Sequence, residues 1–235
     1  MVGAVKSLLA LGQIAQLRSN YELALDLYEK IRLYAIELED RGVEANAIYQ
    51  TGTAYQEKEQ FDEALKQYYL ALVIYKELGD FSNTSLTLGQ IGSLHLQRDE
   101  LKQAVNIFQS RLKVEEDQNN RHGIGIVFLE IGMAHQKRGD HEQAWNFYHK
   151  SLSILKHLQD PVGIANCHQQ IGILLTETRR YDEAFPYVLF ALSGFMKWKP
   201  IEAEKALNLL KYLRANWGGF DAAWREATGD DLPEW

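Results

Sequence analysis

Cysteine is nearly absent from this 235-residue chain: Cys167 stands alone. That excludes an internal disulfide framework and suits a reducing compartment. Proline is scarce, with four in all, and no Pro-rich or Ser/Gly-rich stretch marks a linker. No run approaches the roughly 18–20 consecutive apolar residues of a membrane helix. Basic excess is also missing, because 25 Lys and Arg against 32 Asp and Glu leave a formal net charge of −7. A nucleic-acid binder normally presents a basic face instead. These shortages predict a cytoplasmic protein that inserts in no membrane and binds no nucleic acid. The N-terminal MVGAVKSLLALGQIAQL resembles a signal peptide's apolar run. However, Leu8, Leu11, Gly12 and Ala15 fall in the register described next, so the stretch is needed as a helix.

What the chain does have is a period. Gly12, Gly52, Gly92, Gly132 and Gly172 are each 40 residues apart, as are Ala24, Ala64, Ala104, Ala144 and Ala184. Ten matched positions at one spacing mark a repeat array. In the copy from Tyr49 to Leu78, Ile48, Thr51, Gly52 and Tyr55 share one helical face, and Phe61, Ala64, Leu65, Tyr68, Leu72 and Tyr75 share another, with a polar break at Glu59-Gln60. The fold class is therefore all-α, each copy reading as helix A, a tight turn, helix B and a longer turn. Asp40, Asp80, Asn120 and Asp160 are turn and N-cap residues, and Gly79, Gly123 and Gly163 punctuate the same region. A mid-helix glycine costs roughly 1 kcal/mol against alanine. Five recurrences need a compensating gain, and close approach of the two helices supplies it, with Tyr28, Tyr68, Phe108 and Tyr148 filling the space between units.

The expected organisation is five tandem repeats over 1–200 and a degenerate sixth repeat or capping segment over 201–235. Phe220-Asp221-Ala222-Ala223-Trp224 echoes Tyr181-Asp182-Glu183-Ala184-Phe185 at a spacing of 39. The sixth helix A is predicted from Ile201 to Asn216 with its turn at Gly218-Gly219, and terminal repeats are expected to be atypical. The tail Asp230–Trp235 has no periodicity.

The copies GTAYQEKEQFDEALKQYYLAL, GMAHQKRGDHEQAWNFYHKSL and GILLTETRRYDEAFPYVLFAL carry Gly, then an aromatic, then Ala, then a second aromatic in two of them. This pattern resembles the tetratricopeptide repeat over about Lys6 to Gly194. The 40-residue period with turns such as Glu77-Leu78-Gly79-Asp80 is similar to the longer-helix subclass of kinesin light chains, LGN-type adaptors and bacterial peptide-sensing regulators. The resemblance implies a right-handed α-solenoid whose helix A row lines a concave groove.

No constellation points to catalysis, so no enzyme, cofactor or metal is expected. His95, His135 and His168 sit at core-facing positions, and His141, His149 and His157 are eight apart, which is no zinc spacing. Cys167 adjoins His168, but helix neighbours point about 100° apart, so a buried thiol is expected. Gly123-Ile124-Gly125 lacks the third glycine of a dinucleotide loop, where Phe128 stands. Glu115-Glu116 and Asp230-Asp231 read as solvated turns.

The resemblance places the groove at six and three residues before each glycine and one and four after it. The partner-binding candidates at these offsets are Asn46, Tyr49 and Gln56; Leu86 and Leu96; Ile126, Leu129, Met133 and Gln136; and Asn166, Gln169 and Ile173; Gln90 joins them as a flanking amide. Leu86, Leu96, Ile126, Leu129 and Met133 are expected to form an apolar floor, since exposed contiguous apolar area marks binding surfaces. The amides at its flanks suit the backbone of a peptide. The carboxylate clamp of chaperone-binding relatives would fall at Leu9, Gln13, Gln50, Leu86 and Gln90, none of them basic. The expectation is a non-catalytic scaffold for an apolar peptide or partner helix of neutral or basic charge. A regulatory peptide-sensing domain is the alternative.

Overall fold

The computed structural model describes residues 2–231; Met1 and Leu232–Trp235, including most of the aperiodic tail, lie outside the described residues. Those residues form twelve α-helices and no strand: α1 (Val2–Leu17), α2 (Tyr21–Glu37), α3 (Arg41–Glu57), α4 (Phe61–Glu77), α5 (Phe81–Gln97), α6 (Leu101–Asp117), α7 (Arg121–Lys137), α8 (His141–His157), α9 (Pro161–Glu177), α10 (Tyr181–Trp198), α11 (Pro200–Asn216) and α12 (Phe220–Thr228). The all-α tandem-repeat class expected from the period is the class observed. A 17-residue helix such as α3 is about 25 Å long at 1.5 Å per residue.

The turns depart from the expected alternation of tight and longer. Each of the nine turns from α1 through α10 has the same length, three residues between helices. Its middle residue takes a left-handed φ: Ser19, Glu39, Glu59, Asp99, Asn119, Gln159 and Arg179, with Gly79 and Gly139 in the same role. The chain then folds back in a Schellman arrangement, in which Asp40 N–H donates to the Ala35 carbonyl and Glu39 N–H to that of Ile36. The next residue starts the following helix. Asp40, Asp80, Asn120 and Asp160 are N-caps as expected, accepting from Val43, Asn83, Gly123 and Gly163 N–H, and Asn20 does the same for Leu23. Gly123 and Gly163 are therefore helical residues beneath the cap rather than turn residues.

The helices group into two compact units, Met1–Gln118 and Asn119–Trp235. In the first, α1 to α6 pack each on its neighbour in sequence, around cores that include Tyr28, Ile31 and Ala47, and Tyr68, Leu88 and Ile91. Leu11 and Ile14 of α1 remain 53% and 46% exposed, although their counterparts Ile91 and Leu94 are fully buried. In the second unit α7 to α11 pack in the same manner, and α12 lies on α10. A helix, α11, spans the stretch from Ile201 to Asn216, and Gly218-Gly219 lie in the link between α11 and α12. Phe185 meets Phe220 edge-on at 5.3 Å between ring centroids and Trp217 at 6.0 Å. Trp224 is buried, with its indole N–H donating to the Asp231 carbonyl.

Candidate functional site

The repeating glycine seats a ring. A Cβ on Gly12, Gly52, Gly92 or Gly132 would stand 2.5, 2.8, 2.4 or 2.5 Å from the nearest ring atom of Tyr28, Tyr68, Phe108 or Tyr148, sixteen residues on. At Gly172 the nearest atom is Val188 Cγ2, at 2.6 Å. The close approach is thus between helix A backbone and a helix B side chain, within one repeat.

A second regularity follows the rings. Tyr28, Tyr68 and Tyr148 are fully buried, and each hydroxyl donates to a glutamine carbonyl four residues after the seating glycine. The acceptors are Gln16 at 2.9 Å, Gln56 at 2.7 Å and Gln136 at 2.5 Å. Where the ring is Phe108, the matching position is Leu96; where it is Val188, the position is Thr176, whose hydroxyl turns back to the Gly172 carbonyl. The amide is present only where a buried hydroxyl needs it. Burial, with Glu57 adding to it, pushes the Tyr28 hydroxyl up to about 12, and burial likewise raises Tyr68 and Tyr148. These groups stay protonated donors.

Other candidate residues join the same polar lattice. Burial raises the Tyr49 hydroxyl, and its bond to Gln90 pulls it part of the way back. Tyr75 is raised by burial and then by Asp80, and Asn46 offsets this by a hydrogen bond. Gln136 also donates to Glu177 at 2.8 Å. Several amides read from the sequence as peptide holders therefore already hold tyrosines or a carboxylate.

The candidate row is not uniformly exposed. Leu86 is 46% exposed, and Asn46, Gln56, Gln90, Leu96, Ile126, Met133, Gln136, Asn166 and Ile173 are half-buried. Tyr49, Leu129 and Gln169 are buried, and Leu129 belongs to the core of the second unit. Their position, three residues before the glycine, shares the glycine's helical face, so the side chain follows it toward helix B. Tyr49 accordingly packs on the Tyr68 ring, with centroids 5.4 Å apart. The expectation that Leu129 is free of the repeat's own packing does not hold.

The histidines divide. His95 Nδ1 lies 2.6 Å from a Glu100 oxygen, and His135 Nδ1 lies 3.4 Å from one of Asp140 while its ring stacks on Phe147. Both have the satisfied environment expected of them. His168 is buried but neither of its nitrogens has a hydrogen-bond partner. Cys167 is fully buried and its thiol is pushed up to about 11, chiefly by burial, which leaves little thiolate. Among the described residues no group of three or more His, Cys, Asp or Glu could hold a metal ion, and no helix is long and apolar enough to cross a membrane.

One cluster went unnoticed in the sequence. Glu115, read as a solvated turn residue, is 5% exposed within α6. It accepts from Ser85 Oγ, which in turn accepts from Arg111 Nε at 3.1 Å. Gly89 makes room, since a Cβ there would lie 2.8 Å from Arg111 Nη1. The signal was available: other repeats place Ile31, Ala71, Ser151 and Ala191 where Arg111 stands, and Ala35, Tyr75, Leu155 and Phe195 where Glu115 stands.

Comparison with known proteins agrees with this architecture. A family model of the tetratricopeptide repeat matches residues 43–116. No curated protein matches the sequence significantly. In structure the chain is similar to BtubC (BKLC) from P. vanneervenii, with a TM-score of 0.74 and 17% identity, covering 92% of this chain and 94% of that one. It is similar to aspartyl phosphate phosphatase F from Bacillus subtilis, with a TM-score of 0.77 and 14% identity, over 95% of this chain and 63% of that one. A Rap protein complexed with Competence and Sporulation Factor gives a TM-score of 0.70 and 13% identity, over 95% and 67% of the two chains. Residues 43–116 match the tetratricopeptide repeat in sequence, and the chain as a whole has the fold of TPR-like repeat proteins.

Proposed function

We propose that this TPR-type scaffold is non-catalytic and binds an apolar peptide or partner helix along its helix A rows. The supporting observation is Leu86, an apolar side chain 46% exposed on the row. Half-buried Leu96 shares its helix, and Ile126, Met133 and Ile173 occupy the row in the second unit. Asn46, Gln56, Gln90, Gln136 and Asn166 are half-buried amides of the same helices or their helix A counterparts, and Tyr49, Leu129 and Gln169 are buried. The net charge of −7 favours a neutral or basic ligand over an acidic one.

A regulatory peptide sensor is the second reading. The likeness to the Rap protein bound to Competence and Sporulation Factor favours it. That likeness is one of fold, and this chain spans about two thirds of that protein.

Selecting a displayed random-peptide library on the wild-type chain tests the proposal. Enriched peptides should be apolar with neutral or positive charge. Leu86→Glu in the first unit and Met133→Glu in the second should each weaken binding of the peptides selected on that unit's row at least about tenfold, the equivalent of 1.4 kcal/mol, with unchanged circular dichroism. Failure to enrich any peptide, or equal binding by both folded variants, would refute it. Leu129 is unsuitable for this test because a charge there would enter the core.

A further inference from the structure

His168 lies in α9 four residues before Gly172, where the second and third repeats bury Ile48 and Leu88. It is 9% exposed, and both ring nitrogens are buried without a partner. Its ring stacks on Phe190 at 4.2 Å and 26° and meets Tyr187 at 5.3 Å and 38°. His95, His135 and His122, by contrast, each have a carboxylate at 2.6 to 3.4 Å. From α8 the groups bearing on His168 are Lys156 and His149, and α10 presents the Tyr187 and Phe190 rings. Its neighbour on α9, Cys167, is a protonated thiol hydrogen-bonded with Ser151.

This is an apolar socket holding a neutral imidazole. A proton on His168 would place a charge among rings, with cations rather than a carboxylate nearby. We propose that His168 is an acid-responsive element whose protonation loosens the packing of α9 against α10. Burial, and then the charges of Lys156 and His149, lower its pKa from the usual 6.5 to about 4. The opened form therefore binds the proton more tightly than the closed one. His168 leaves stability intact above about pH 6.5, withdraws it as pH falls, and has withdrawn it fully near pH 4. Between pH 8 and pH 5 this linkage shifts the closed–open equilibrium by roughly ten- to thirtyfold.

Hydrogen exchange of the full chain, read by mass spectrometry at pH 8 and pH 5 and corrected for intrinsic exchange, tests this. Wild type should lose at least about tenfold more protection over α9 and α10 on acidification than His168→Phe does. His168→Leu, which copies Leu88 of the third repeat, provides a second variant should phenylalanine pack poorly. Urea unfolding at both pH values supplies the corresponding equilibrium. Equal acid sensitivity of wild type and a folded variant would overturn the proposal. So would full protection of wild-type α9 and α10 at pH 5, because the stacked rings would then be holding the imidazolium by cation–π attraction.

Discussion

Removing the Gln56 carbonyl from Tyr68 should cost about 1–3 kcal/mol, and removing the Tyr68 hydroxyl as well should recover most of that. Tyr68 is fully buried and donates to Gln56 Oε1 at 2.7 Å. Gln56→Leu leaves the hydroxyl buried without that acceptor, which costs roughly 1–3 kcal/mol. Tyr68→Phe alone forfeits one net hydrogen bond, about 0.5–1.5 kcal/mol. The double variant recreates Leu96 and Phe108, a pair that this chain already packs in its third repeat. It should therefore lie within about 1 kcal/mol of wild type, giving a coupling of roughly 0.5–3.5 kcal/mol between neighbours. Urea unfolding followed by far-UV circular dichroism, with unchanged m-values, measures the cycle. If the double variant equals the sum of the singles to within about 0.3 kcal/mol, Gln56 is not there for the hydroxyl and the reading of Gln16 and Gln136 falls with it.

Gly132→Ala should cost on the order of 1–3 kcal/mol, because its methyl would stand 2.5 Å from the Tyr148 ring. Gly42→Ala, whose methyl meets only Asp40 Oδ1 at 3.5 Å, should be neutral or stabilising by up to about 1 kcal/mol; equal effects in thermal unfolding would refute the ring-seat account. Ending the chain at Lys199 should lower the melting temperature or cause association, since Phe185 would lose Trp217 and Phe220 and each fully uncovered large apolar side chain is worth about 1.5–3 kcal/mol. A truncated chain that melts like wild type and stays monomeric would show that α11 and α12 cap nothing.

The helices were legible because two signals coincide: a 3.6-residue apolar rhythm within helices and a 40-residue rhythm between them. Asp40 and its counterparts marked the helix starts because a short acceptor side chain has one local use there. The turn after helix A was harder to read as equal to the turn after helix B. Its left-handed position is held by Ser19, Glu59, Asp99 and Arg179, with glycine only at Gly139, just as the turn after helix B has Glu39, Asn119 and Gln159 with glycine only at Gly79, so Schellman geometry has no consistent residue signature in either turn. The candidate site was read less well. Pattern showed which helix positions repeat, but burial at three before the glycine depends on the ring opposite. The pairing of Gln16, Gln56 and Gln136 with tyrosine, and of Leu96 with phenylalanine, was visible in the sequence. It becomes meaningful only once the two positions are known to touch. His168 was placed correctly in the core, but its want of a partner depends on α8 and α10, which no local pattern reports.

The uniform turn gives the chain two periodicities. Its backbone repeats every 20 residues, the spacing of the left-handed positions from Ser19 to Arg179, whereas its side chains repeat every 40. A duplication or loss of 40 residues leaves each ring opposite a glycine and each cap before its helix. A change of 20 keeps every turn but sets helix A beside helix A, with two glycine faces meeting and no ring to fill them. Gene-level growth or shrinkage of such an array is therefore quantised in hairpins, and the side chains, not the backbone, set the quantum.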